Sequence, residues 1–413
     1  MFFTLLSIAG AFFPLYGLSF GGIKLTLFRL GVLPLVVLLG SRAFKRLNNI
    51  LKLLLIFIVL RTFSLLFTDE FSFGLTQIIW FIEGFCFLVI VNYLANKYQG
   101  FSVFYTKGLL LLGSIAVLFI LAQAVDFFIF GKLLYPPFWQ NYANVVSSDL
   151  YWNYPIYGLG RIIGTFSEPN MAGTMCAFFF ALLLPIYYNN KSHKILYITL
   201  IVVTIISSIF TGSRQSLVSM FLTLILFIAR FARSNKKMLF RFALGFVIIV
   251  ITLVIYSDFF SLLEGSENVF TRFQQGSDDE DVSGGRFDLL KKTWDNFGFQ
   301  HVLFGAGEGS TGGGGHNAFL AIFLENGIFT FFIFLKVLFD MIKKSYKKYI
   351  KEAKVIDISA VLIGITWAFL MFVNWAQLNQ SISFVYLAFI FISLRGEFST
   401  DKSFIGTTKN IHK

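Results

Sequence analysis

Charge is what this sequence has least of. Asp, Glu, Lys and Arg make up 14% of its 413 residues, against about 25% in a soluble domain. With 56% hydrophobic residues and a mean hydropathy of +0.75, that shortage excludes an ordinary soluble chain. Cysteine is nearly missing. Cys86 and Cys176 both fall in apolar stretches, so they read as buried free thiols without a disulfide framework. No Cys/His spacing suits a zinc site. The glycine run at 305–315 lacks the GK[ST] ending of a phosphate-binding loop. GAGEG follows no βαβ unit, and no nucleophilic serine elbow is present. No soluble domain or internal repeat is visible.

What is present is a succession of apolar runs. A helix needs roughly 20 apolar residues to cross about 30 Å of hydrocarbon. The sequence therefore predicts an all-α, polytopic integral membrane protein with about 12 transmembrane helices. They are expected near 3–20, 25–40, 51–67, 75–94, 108–130, 171–188, 195–211, 215–229, 240–257, 317–339, 357–375 and 381–395. Residues 1–20 carry no basic n-region and no A-x-A site, so they read as a first span rather than a cleaved signal. Residues 1–413 are expected to form a single membrane domain with one large extracytoplasmic loop, 258–315.

The net charge of +12 is distributed unevenly. Basic residues gather in alternate connections: Arg42, Lys45 and Arg46; Lys97 and Lys107; Lys191 and Lys194; Arg230 to Arg241; Lys343 to Lys354. The other connections are acidic or mixed, with Asp69 and Glu70, Asp149, and Asp278 to Asp281. This is the positive-inside pattern. It predicts cytoplasmic termini, with 131–165 and 258–315 outside. Nucleic acid is not an expected partner, because basic and aromatic residues are not interleaved on a soluble surface. The acidic run Asp278 to Asp281 reads as a solvated loop, with cation binding as the alternative.

Within the late loop, Phe287, Leu290, Trp294 and Phe297 recur at helical spacing, which predicts an amphipathic surface helix over 286–297. Residues 305–315 (GAGEGSTGGGG) read as a flexible leash, with a helix starting near His316. The Tyr- and Trp-rich loop 131–165 suits an interfacial aromatic belt or a sugar-stacking surface.

Charged groups near hydrocarbon are expensive and usually face a cavity. On the expected outer side stand Arg161 and Glu168 in GRIIGTFSEPN, Arg214 in TGSRQS, Arg286 at the loop helix, and His316 with Asn317 at the tenth span. Guanidinium holds phosphate oxygens bidentately and keeps its charge. A helix N-terminus adds free N–H groups and partial positive charge. A neutral imidazole can accept a proton. Together these residues suit an anionic, lipid-linked diphosphate. Taken singly, an arginine at a span end also fits a headgroup contact, and a histidine at a helix start also fits a cap.

Four motifs carry a family resemblance: GRIIGTFSEPNMAG at 160–173, TGSRQS at 211–216, Arg286 with Leu290, and His316-Asn317 with Gly327 beyond. With the span count and the late outer loop, they make the chain resemble the O-antigen polymerase and O-antigen ligase superfamily of bacterial polysaccharide enzymes. The resemblance implies a GT-C-like glycosyltransferase of the bacterial plasma membrane, multi-pass, with its site on the outer face. It implies an inverting transfer of glycan from undecaprenyl diphosphate to a hydroxyl, with no cofactor and no metal. Arg214 and Arg286 would hold the diphosphate, and His316 would orient or deprotonate the acceptor. Arg161, Glu168, Asn170 and Asn317 would bind substrate. The expected partners are the undecaprenyl-diphosphate-linked oligosaccharide, the bilayer, a chain-length regulator and a flippase. The GTFSEPN and HNAFLAIFLENG elements favour a polymerase; a ligase acting on lipid A core is the alternative. A lipid-linked glycan flippase would need a charged path across the bilayer, for which Arg61 and Glu83 are the mid-span candidates.

Overall fold

The structure is a computed structural model. It describes residues 1–14, 17–20, 23–130, 156–157, 161–166, 168–190, 193–231, 245, 297, 301–311, 317–352, 354–374, 378 and 380–395. Among these, eleven α-helices dominate. They are α1 (Phe2–Phe12), α2 (Leu27–Phe44), α3 (Asn49–Ser64), α4 (Phe71–Lys97), α5 (Phe101–Phe130), α6 (Pro169–Asn189), α7 (Lys194–Phe210), α8 (Arg214–Leu226), α9 (Ala318–Glu352), α10 (Val355–Val373) and α11 (Ser381–Leu394). Seven are long and apolar enough to cross a membrane: α2 with the other long helices α3, α4, α5, α6, α9 and α10. The four shorter ones are apolar too. This is a polytopic helical membrane protein. The expected ninth span, 240–257, and the 286–297 helix lie outside the described residues.

The expected first span is corrected. Helix α1 ends at Phe12, and the chain then forms an antiparallel hairpin of β1 (Gly17–Phe20) and β2 (Ile23–Thr26), with Phe20 opposite Ile23. Pro14 explains the stop. Proline disfavours helical geometry in the residue before it, and Phe13 sits at φ −126°, ψ 60°. The Thr26 hydroxyl then accepts from the Arg29 N–H at 3.3 Å and caps α2.

Helices in lipid gain little from hydrophobic burial against one another, so close packing at small residues holds them together. Gly10 and Gly31 let α1 and α2 cross with backbone near backbone. Gly84 lies under the Phe384 ring, and Gly113 under Phe179. Helix α6 is the enclosed centre, packed by α7, α8 and α10 and buried almost continuously from Ala172 to Ile186. The outer faces carry Val37, Leu38, Leu111 and Phe332 fully in the open, where lipid would meet them.

The bundle has two chemically distinct ends. At the basic end, Asn92 joins Asn48 and Arg395, and Asp357 accepts from the Ser393 hydroxyl at 2.8 Å. Arg42, Lys45, Lys97 and the lysines of α9 cluster there. At the loop end, Thr165 donates to the Phe12 carbonyl, and the Gly164 N–H to the Gln123 side chain at 2.9 Å.

Candidate functional site at the loop end

The α7–α8 turn is built by its own sequence. Gly212 takes a left-handed φ of 63° and ends α7. Thr211 bonds back to the Ser208 carbonyl at 2.7 Å and accepts from the Ser213 N–H at 3.3 Å. Ser213 is then the N-cap of α8, yet its hydroxyl makes no capping bond. Among the described residues that hydroxyl is buried without a partner, as are both ends of the Gln215 amide and the Ser219 hydroxyl. Gln215 and Ser219 are one turn apart on the same face. Arg214 stands between Ser213 and Gln215, half-buried at the first helical position. The first N–H groups of a helix also lack intrahelical partners. The turn therefore places a guanidinium and a helix N-terminus beside three buried polar side chains without partners among the described residues.

The structure brings the two short motifs into contact here. Gly173 of α6 lies directly against Ser213 and Ser216, with no room for a Cβ. Residues 162–166 are tied down by Gln123 and Phe12, and Ile162, Thr165 and Phe166 are buried. That anchor sets Glu168 as the N-cap of α6, with Asn170 in its first turn, both half-buried. The backbone of Arg161 lies in a short strand paired with Tyr157. Asn317 begins α9 as its cap, accepting from the Leu320 N–H at 3.0 Å. Helix α10 packs against both α8 and α9 and so joins the two halves. Arg286 and His316 lie outside the described residues.

The reading of 305–315 as a leash is corrected for 305–311. This stretch is docked, and its glycines serve close backbone approach. Gly327 interrupts α9 at φ 79°. In an unbroken helix the Ile328 N–H would bond to the Leu324 carbonyl. Here Ile328 donates to Val302 at 2.9 Å, while the Ala306 N–H takes over Leu324 at 2.8 Å and Gly307 donates to Glu325 at 3.0 Å. A Cβ on Gly305 or Gly327 would strike the opposite chain, and Gly307 and Gly309 also hold positive φ. Residues 312–315 lie outside the described residues.

One buried ion pair locks this docking. Arg61, near the end of α3, grips Glu308 through both guanidinium nitrogens, Nε donating at 2.9 Å and Nη2 to the other oxygen. The side chains are 2% and 0% exposed, so this is a true interior pair. The guanidinium also lies over the Phe57 and Phe81 rings, 5.5 and 5.1 Å from their centroids. Ser64 bonds Asn326 at 2.9 Å, and the Thr311 hydroxyl bonds Glu325. Arg61 and Glu83 are thus not an open charged path: Glu83 accepts from Arg29 at 2.8 Å.

Sequence reasoning missed Ser213, Gln215 and Ser219, although TGSRQS contains the first two, because burial without a partner is invisible in a string. It missed Glu308 and Glu325 for the same reason. An acidic residue inside a glycine run was the available signal.

Membrane-spanning helices, with a cationic turn and a docked segment at one end of the bundle, define a polytopic integral membrane protein. The comparison with protein families narrows this. Residues 199–335, a third of the chain, match the family model described as O-Antigen ligase. The match covers α7, the Arg214 turn, the docked segment and the kink of α9, and it bears out the resemblance to the O-antigen polymerase and ligase superfamily. A comparison with curated proteins gives no match.

Proposed function

We propose that this protein is a glycosyltransferase that polymerises undecaprenyl-diphosphate-linked repeat units into a surface polysaccharide, on the outer face of the bacterial plasma membrane. The observation that carries this reading is the α8 N-terminus, where Arg214 is flanked by buried side chains without partners and pressed against the start of α6. A phosphate group there meets a fixed cation and free N–H donors. Unpaired hydroxyl and amide groups beside it suit the hydroxyls of the attached sugar.

In the proposed reaction the acceptor hydroxyl attacks the anomeric carbon from the face opposite the diphosphate. The carbon–oxygen bond to the diphosphate breaks as the new glycosidic bond forms. The hydroxyl proton passes to His316. The leaving diphosphate keeps the electron pair, and Arg214 and Arg286 stabilise its charge, with Arg161 assisting. Glu168, Asn170 and Asn317 bind sugar. The ligase reading is kept because the matched family description names that activity.

The test is transfer by purified protein from a lipid-linked repeat unit, without nucleotide and with chelator. Polymer formation is expected, and general-base loss in His316→Ala should lower it by about 10²–10⁴-fold. Transfer only to lipid A core would establish the ligase instead. No transfer from any lipid diphosphate would remove the proposal.

A further inference from the structure

The basic end holds a cavity of about 490 Å³ lined by Lys344, Lys347, Lys348, Lys351 and Arg395 against the lone carboxylate of Glu352. Three elements converge on it: the end of α9, the end of α11 and the start of α3, with Ile50 and Leu394 as its apolar walls. The four lysines fall at i, i+3, i+4 and i+7, so they form one stripe along α9. Like charges at these spacings oppose helix formation. Something must offset that repulsion, and the described neighbours do so only in part. Lys348 is taken by Asp357 at 3.7 Å and by the Ser393 carbonyl, and Glu352 is taken by Lys354 at 2.7 Å. No ion pair among the described residues takes Lys344, Lys347 or Arg395. Arg395 bonds only a neutral acceptor, Asn92, at 3.0 Å, and its burial pushes its pKa down from the ordinary value.

The groove is remote from the proposed active site. Residues 328–352 of α9 rise about 1.5 Å each, which carries the lysine stripe, beginning at Lys344, well away from the Gly327 kink, towards the other end of the bundle. It opens at the ends of spanning helices, where the headgroup of a phospholipid would lie.

We propose that this groove binds the phosphate headgroup of an anionic phospholipid of the adjoining leaflet, with a dianionic headgroup preferred. Four positive charges in excess match two phosphates, and basic pockets between spanning helices suit such headgroups. The lipid bridges α3, α9 and α11 at one end of the bundle, the same helices that carry Arg61 and the Gly327 kink at the other.

Native mass spectrometry of the purified full chain, with cardiolipin, phosphatidylglycerol or phosphatidylcholine added singly, tests the assignment. Wild type should retain cardiolipin most and phosphatidylcholine least. Lys344→Gln with Lys347→Gln and Lys351→Gln removes three contacts worth roughly fivefold each, so retention of cardiolipin should fall about one hundredfold. Arg42→Gln with Lys45→Gln and Lys343→Gln removes the same charge outside the groove and should leave retention unchanged. Equal loss in both triple variants would reduce the effect to bulk charge and overturn the site. Inorganic pyrophosphate serves as the lipid-free arm: displacement of cardiolipin by it at micromolar concentration would assign the groove to a soluble phosphate instead.

Discussion

Two polar clusters sit at the loop end of this bundle and are treated oppositely. Around Arg61, every polar group has company: guanidinium with Glu308, Ser64 with Asn326, Thr311 with Glu325. Around Arg214, Ser213, Gln215 and Ser219 are buried without partners among the described residues. A buried unpaired polar group costs about 1–3 kcal/mol, so the second cluster is kept at the expense of stability. The first has the marks of architecture. It fixes where the outer segment meets α9. At the second, the proposed substrate would supply the missing hydrogen bonds.

Five variants separate these roles. The largest effect is expected at the satisfied cluster. Glu308→Ala leaves Arg61 buried without its partner, which should cost about 3–5 kcal/mol, read as a lowered Tm in detergent. Replacing both partners, Arg61→Met with Glu308→Leu, should recover most of that loss, since an apolar pair is often neutral. A Tm unmoved by Glu308→Ala would remove the pair's structural role.

Arg214→Lys should act in the other direction, on chemistry. Losing bidentate contact with a desolvated phosphate should remove about 2–5 kcal/mol of binding to the reacting state, with Tm nearly unchanged. Polymer yield equal to wild type at equal expression would take Arg214 out of the site. Gly327→Ala comes next. A side chain at φ 79° meets the Leu303 carbonyl, and such strain costs about 1–3 kcal/mol, again read in Tm. The smallest effect sharpens the comparison most. Gln215→Leu should raise Tm in the empty protein, by about 1 kcal/mol of relieved desolvation, while transfer falls. A lowered Tm would mean that Gln215 belongs with the satisfied cluster.

Much of the fold was legible because membrane insertion is read from composition. Long apolar runs gave α2 to α6, α9 and α10. The first span misled because hydropathy registers apolar content, whereas Pro14 and the hairpin after it act through backbone geometry. The site was half legible. TGSRQS and GRIIGTFSEPNMAG each pointed to one side of a contact, and Gly173 against Ser213 is that contact. The glycine run was read through its entropy alone. Gly305, Gly307, Gly309 and Gly327, all at positive φ, show glycine used to let backbones meet.

The sequence by itself determined that this chain lives in a membrane, which end carries positive charge, and which short motifs hold arginine. These follow from transfer free energies and side-chain charge, which are local properties. Only the tertiary structure decided that Arg61 is consumed by a carboxylate 247 residues away, while Ser213 and Gln215 are left without partners. Whether a polar group is satisfied depends on which chain segments are brought beside it, and that is set by packing across the whole bundle.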